Sequence, residues 1–234
     1  MDNIKTCSKV NTFKISDLVM GIILFGSLWG LSEAVIGDLI RTTGIPFRAG
    51  ILTGIGIGIL GAALGLYRMP AVLPLIALTT ALSKQLVVPI LGFSLLCKAN
   101  SCAALLLLGF SVTGMTFLTG SHLKRSTFLR AATALSAVLI AAFAFYFIGM
   151  RLAPCAYLLS FAGAGGLQSF MFREGLVWAL FAALLFPAGY RLGERMRDDI
   201  VSLRVQKPAW FYATSGVLIA GSWLALVLSI ATGM

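Results

Sequence analysis

The composition of this 234-residue chain indicates which solvent surrounds it. Hydrophobic residues make up 59% of the chain and charged residues 11%, whereas a soluble domain is about half apolar and about a quarter charged. The net charge of +10 comes from Lys and Arg residues in short clusters between apolar runs, a pattern that excludes a continuous basic face for nucleic acid and is typical of membrane topology signals.

The apolar runs predict a single integral membrane domain over residues 1–234, built as an all-α, polytopic transmembrane helix bundle of six to seven spans. A span needs about 20 residues, and no small-residue cleavage site follows the first run, so we interpret that run as an uncleaved span. In chain order the predicted spans are 18–37, 49–67, 71–90, 101–120, 131–149, 175–192 and 210–232.

The distribution of Lys and Arg between these spans predicts the orientation of the chain. With the N-terminus inside, the inner segments hold twelve of the 18 basic residues, the outer segments hold five, and Lys84 lies within the third span. Basic residues are enriched on the cytoplasmic side of membrane proteins. We therefore expect a cytoplasmic N-terminus and an external C-terminus.

Two connections differ from the short ones. The outer segment from Arg151 to Gly175 is apolar but interrupted by glycines, and it is either a cap over a cavity or an interfacial helix that only packs. The inner segment from Arg191 to Lys207 mixes both charge signs. It predicts a solvated helix end and loop, with docking of a cytoplasmic partner as the alternative.

Glycines recur at helical spacing on two spans. The second span carries Gly50, Gly54, Gly58, Gly61 and Gly65, and the first carries Gly26 and Gly30. Such a smooth face allows close helix contact, and it serves either packing within the bundle or docking of another membrane subunit. The letters from Gly56 to Gly61 also fit G-x-G-x-x-G, but a dinucleotide site needs a preceding strand, so none is predicted within a membrane span.

The residue types and motifs that the sequence lacks exclude several kinds of site. The one histidine, His122, falls in a predicted cytoplasmic loop, so we expect no His-based metal or haem site within the membrane. The sequence has neither a P-loop nor a nucleophile elbow. We expect no catalytic residue, metal or cofactor, and ATP-driven work would require partner proteins. Cys97 and Cys102 either form a disulfide on the outer side or remain thiols.

Two ionisable residues, Glu33 and Lys84, lie inside predicted spans. A charge at the membrane centre costs roughly 2.5–3.5 kcal/mol, so function is the first hypothesis for both. Glu33 is 16 residues beyond Asp17 and Lys84 is 14 beyond Pro70, which at about 1.5 Å per residue places them at nearly equal depth in the outer half. They form either an ion pair that locks two helices or the polar floor of an outward-opening cavity.

Small and polar neighbours extend this candidate site. The predicted substrate-binding residues are Trp29, Glu33, Thr80, Lys84, Gln85 and Arg173. The outer half supplies five basic residues, Arg41, Arg48, Lys84, Arg151 and Arg173, against three acidic ones, Glu33, Asp38 and Glu174. This positive excess favours a small polar or anionic solute.

Three stretches carry a resemblance to a known family. "GSLWGLSEAVIG", "GIPFRAGILTGIGIGILG" and "PLIALTTALSKQLVVPILG" resemble, in texture and order, the membrane-embedded substrate-binding S-components of energy-coupling-factor transporters. The resemblance covers roughly residues 17–193. It implies about six helices in a prokaryotic cell membrane, a vitamin-like substrate bound from outside, and delivery through a transmembrane T-component with two ATPases.

The resemblance also implies roles for particular residues. Gly26 and Gly30 match the small residues through which the first helix contacts the T-component, and we extend the partner-docking prediction to Gly54, Gly58 and Gly61. The segment from Asp38 to Arg48 corresponds to a loop that closes an outward pocket. The seventh span departs from the family, and the missing N-terminal histidine makes a metal substrate unexpected. The alternative function is a structural or assembly subunit of a larger membrane complex.

Overall fold

The computed structural model describes residues 13–90, 99–152 and 154–231, which form helices and no strand. The eight helices are α1 Ile15–Thr43, α2 Arg48–Tyr67, α3 Leu73–Ile90, α4 Ala99–Thr119, α5 Thr127–Leu152, α6 Ala156–Leu159, α7 Gly166–Gln206 and α8 Pro208–Ala231. The predicted all-α, polytopic helix bundle is confirmed.

Six of the described helices are long and apolar enough to cross a membrane: α1, α2, α4 with its following turn, α5, α7 and α8. Helix α3, which covers the third predicted span, is not one of the six. It nevertheless packs inside the bundle between α1 and α4. The described residues therefore contain six candidate spans and a seventh, shorter helix that contributes to the same core.

Several predicted spans are longer in the structure than in the sequence interpretation, and the first and sixth are extended most. The first continues from Ile15 to Thr43, and the sixth becomes part of a 41-residue helix from Gly166 to Gln206. The segment from Arg191 to Lys207, predicted as a helix end and loop, is therefore helical as far as Gln206. One end of this extension is fixed because the Arg204 guanidinium bonds the buried Asp17 carboxylate at 2.8 Å.

Helix α8 runs parallel to α1 along its length. Near their first turns, the Tyr212 hydroxyl donates to Asp17 at 2.8 Å, and near their last turns the Ser229 hydroxyl donates to Asp38 at 2.8 Å. The two helices therefore begin at one end of the bundle and finish at the other. Helix α8 therefore runs through the bundle in the same direction as α1, as expected of an additional span after α7.

The glycine face of α2 packs against α7 of the same chain. A Cβ atom added at Gly61 would lie 2.5 Å from the Phe186 carbonyl oxygen, and one added at Gly54 would lie 2.7 Å from the Phe181 Cβ. Such backbone approach is what small residues at helix interfaces permit. Gly58 also faces α7, at Leu185.

The glycines of α1 are covered in the same way. A Cβ at Gly26 would lie 2.6 Å from the Thr79 Cβ, and one at Gly30 would lie 2.7 Å from the Ser83 hydroxyl, both on α3. The predicted partner-docking role of Gly26, Gly30, Gly54, Gly58 and Gly61 therefore needs correction, because helices of this chain occupy these faces. Of the two readings of the sequence, packing within the bundle describes the structure.

Candidate functional site

A cavity of about 1110 Å³ is lined by residues of all eight described helices, chiefly α1, α2, α4 and α7, and it is slightly larger than the roughly 300–1,000 Å³ of common ligand sites. Its charged lining comprises Glu33, Asp38, Arg41, Arg48, Lys84, Arg173 and Glu174. Its large apolar and aromatic side chains are Phe47, Leu52, Leu105, Leu108, Phe145, Tyr157, Phe172, Trp178 and Leu226. The cavity thus combines a mostly apolar wall with a few charged groups, as solute-binding sites do.

The two ionisable residues within the spans meet at this cavity. The Lys84 Nζ atom lies 3.2 Å from the Glu33 carboxylate and 2.6 Å from the Ser101 hydroxyl. Their side chains are only 11% and 13% exposed. The prediction that Lys84 faces the bundle interior within reach of Glu33 is confirmed. Ser101 was not predicted, since a serine in the first turn of an apolar helix carries no signal of its own.

Two π-helical turns present charged residues to the cavity. One spans Ser32–Ile36 and contains Glu33, and the other spans Met171–Gly175 and contains Arg173 and Glu174. A π-turn inserts an extra residue into a helix, which changes the direction of neighbouring side chains, and such turns are frequent at functional sites. Neither turn was predicted from the sequence.

The segment predicted as a closing loop lines the cavity but is mostly helical. Asp38 and Arg41 lie on the last turns of α1 and form an ion pair at 3.6 Å. The chain then turns at Gly44, whose φ of +67° favours glycine. Arg48 begins α2 and also lines the cavity. The expected location of this segment was right, whereas its loop conformation was not.

The outer connection from Arg151 to Gly175 contributes three polar residues to the cavity: Tyr157, Arg173 and Glu174. The indole N–H of Trp178 donates to Glu174 at 3.1 Å, and the Tyr157 phenol lies close enough to feel the charge of this carboxylate. Burial, reinforced by Glu174, raises the pKa of the Tyr157 phenol. The phenol therefore stays protonated at neutral pH, and Glu174 has a donor of its own in Trp178.

Three of the six predicted substrate-binding residues line the cavity: Glu33, Lys84 and Arg173. The other three lie elsewhere. Trp29 is fully buried against Gly56 of α2, where an added Cβ would overlap the indole. The Thr80 hydroxyl donates to the Gly26 carbonyl at 3.0 Å, and the Gln85 side chain accepts from Cys102 at 3.5 Å. These contacts join helices to one another.

Two further expectations concern residues near the site. Arg151, counted among the outer charges, is exposed and does not line the cavity. Cys97 lies outside the described residues, so the Cys97–Cys102 disulfide stays untested. The sequence did identify Arg41, Arg48 and Asp38 as outer charges, but it could not show that they share one cavity with Lys84.

Comparison with known proteins does not assign a function to this cavity. The chain matches no protein-family model, and no curated protein or solved structure shows significant similarity to it. The functional argument therefore depends on the geometry of the cavity.

Proposed function

We propose that this chain is the solute-capturing membrane subunit of a transport system for a small organic solute. The observation that supports the proposal is the cavity with the Lys84–Glu33 pair in its wall. A pair that only locked two helices would gain nothing from an adjoining space of this size. Ionisable groups inside membrane bundles more often mark a solute or ion pathway.

Energy for transport would come from other proteins. The sequence lacks a P-loop, so hydrolysis of ATP by that route needs separate ATPase subunits. The resemblance to S-components of energy-coupling-factor transporters supports this division of labour, with a T-like subunit between this chain and the ATPases. In that arrangement the chain sits in a prokaryotic cell membrane and binds its solute from outside.

The alternative, a structural or assembly subunit, drew its support from the glycine faces. Those faces contact α3 and α7 within the described chain. No other described feature favours assembly over solute binding, and the cavity has no role in an assembly subunit.

The test is purification from the native membrane in mild detergent, followed by mass spectrometry of the small molecules and proteins that copurify. We expect one small organic solute in about equimolar amount, together with a membrane subunit and ATPases. A chain that copurifies with subunits of another membrane complex, and with no solute, would contradict the proposal and favour the assembly alternative.

A further inference from the structure

The cavity contains four basic side chains, and two of them have no partner within the described part of the chain. Lys84 is paired with Glu33, and Arg41 is paired with Asp38. The third carboxylate, Glu174, accepts a bond from the Trp178 indole. No described group bonds or pairs with the side chains of Arg48 and Arg173, although both line the cavity.

These two arginines lie at the same level of the bundle. Gly50 of α2 faces Val177 of α7, and Gly54 faces Phe181, so the two helices run parallel in constant register. Arg173 precedes Val177 by four residues, one helical turn, and therefore lies level with the start of α2, where Arg48 is found. Both residues line the cavity and thus lie at the same end of it.

We propose that Arg48 and Arg173 form an anion subsite that holds the carboxylate or phosphate group of the transported solute. This inference rests on the proposed function and names the chemical class of its solute. Guanidinium groups are well suited to such anions because their planar donors match two oxygens at once. The first turn of α2 adds to the positive potential there.

The rest of the cavity defines the body of the solute. Phe145 and Trp178, whose ring centroids are 5.9 Å apart, form an aromatic wall, and Leu105 and Leu108 add apolar surface. An anion with an apolar or aromatic body fits both parts of the cavity. Lys84 is a poorer anion ligand than the arginines, because Glu33 already neutralises it and Ser101 takes another of its donors.

The test uses three probes that share one ring and differ in charge: benzoate, benzyl alcohol and benzylammonium. Binding to the purified chain is measured by calorimetry, with phenyl phosphate as a second anion to distinguish a carboxylate from a phosphate source. We expect either anion to bind at least about tenfold more tightly than the neutral and cationic probes. Arg48→Gln and Arg173→Gln should each weaken anion binding by about tenfold, equivalent to ~1.4 kcal/mol.

Arg151→Gln is the matched control, because Arg151 is an exposed arginine on the same outer side that does not line the cavity. It should leave anion binding unchanged. Arg48→Lys and Arg173→Lys, which keep the charge, should lose less than the Gln variants and guard against a folding defect. Equal binding of all probes, absence of anion binding at millimolar concentration, or an equal loss in Arg151→Gln would each overturn the inference.

Failure of the anion subsite would remain distinct from failure of the proposed function. A neutral or cationic solute that copurifies with the wild-type chain, and that stays bound in both Gln variants, would remove the subsite and leave solute capture standing. A chain with no bound solute would remove the proposed function itself.

Discussion

Replacement of Lys84 by methionine tests the ion pair in the cavity wall. The Nζ atom lies 3.2 Å from the Glu33 carboxylate, and at an effective dielectric constant of about 20 two unit charges at that distance attract by about 5 kcal/mol. Desolvation of both groups offsets part of this attraction. Removal of one partner from a buried pair costs roughly 3–5 kcal/mol, because the other charge is left uncompensated.

The expected cost for Lys84→Met is at the lower end of that range, about 3 kcal/mol. Glu33 borders the cavity, so water can hydrate the stranded carboxylate in part. The double variant Lys84→Met with Glu33→Gln removes both charges and should recover most of the free energy of unfolding. The assay is chemical unfolding in mixed micelles, with Lys124→Met, at an exposed lysine that forms no ion pair among the described residues, as the control.

Solute retention separates the two interpretations of the pair. If the pair belongs to the binding site, as we propose, the double variant should fold and yet lose most of the copurified solute. A double variant that regains both stability and solute would make the pair a structural lock alone. The reasoning about the pair itself would be refuted if Lys84→Met were as stable as the wild-type chain, or if the double variant were no more stable than Lys84→Met.

Three further predictions concern topology and packing. Reporter fusions at Met1 and Met234 should report opposite sides with the N-terminus inside, because α1 and α8 run parallel; the same side for both would contradict this topology. Gly61→Ala should lower the free energy of unfolding by about 1–3 kcal/mol through overpacking against α7, whereas Gly114→Ala, with open space around it, should leave it unchanged. Equal unfolding midpoints for the two variants would contradict the tight α2–α7 contact. Asp17→Asn should cost about 2 kcal/mol by leaving Arg204 without its carboxylate partner, and it should speed proteolysis of the α7 extension that carries Arg204. An unchanged cleavage rate would show that this contact does not hold the extension.

The depth of residues in the membrane could be predicted from the sequence, whereas their direction around a helix axis could not. A rise of about 1.5 Å per residue was enough to match Glu33 with Lys84. Gln85 follows Lys84 directly but is rotated by about 100°, so it points to a different neighbour. Helices that are apolar on all sides carry no periodic signal that fixes this rotation, which is why Trp29 and Thr80 were misplaced.

The sequence also did not show which helix covers the glycine face of α2. The spacing of the glycines correctly identified a face for close helix contact, but spacing alone does not tell whether the second helix belongs to the same chain. The two π-turns, which contain Glu33 and Arg173, were also not predicted, because π-turns are rare single-turn insertions in α-helices.

Native mass spectrometry of the wild-type chain and of Ala104→Trp tests solute binding in the cavity most directly. Ala104 lines the cavity, and an indole at this position would fill part of the space without removing a charge. We predict one bound small molecule per wild-type chain and none, or much less, on a folded Ala104→Trp variant. Equal occupancy of the two proteins, or a wild-type chain that carries no small molecule, would contradict a solute-binding cavity.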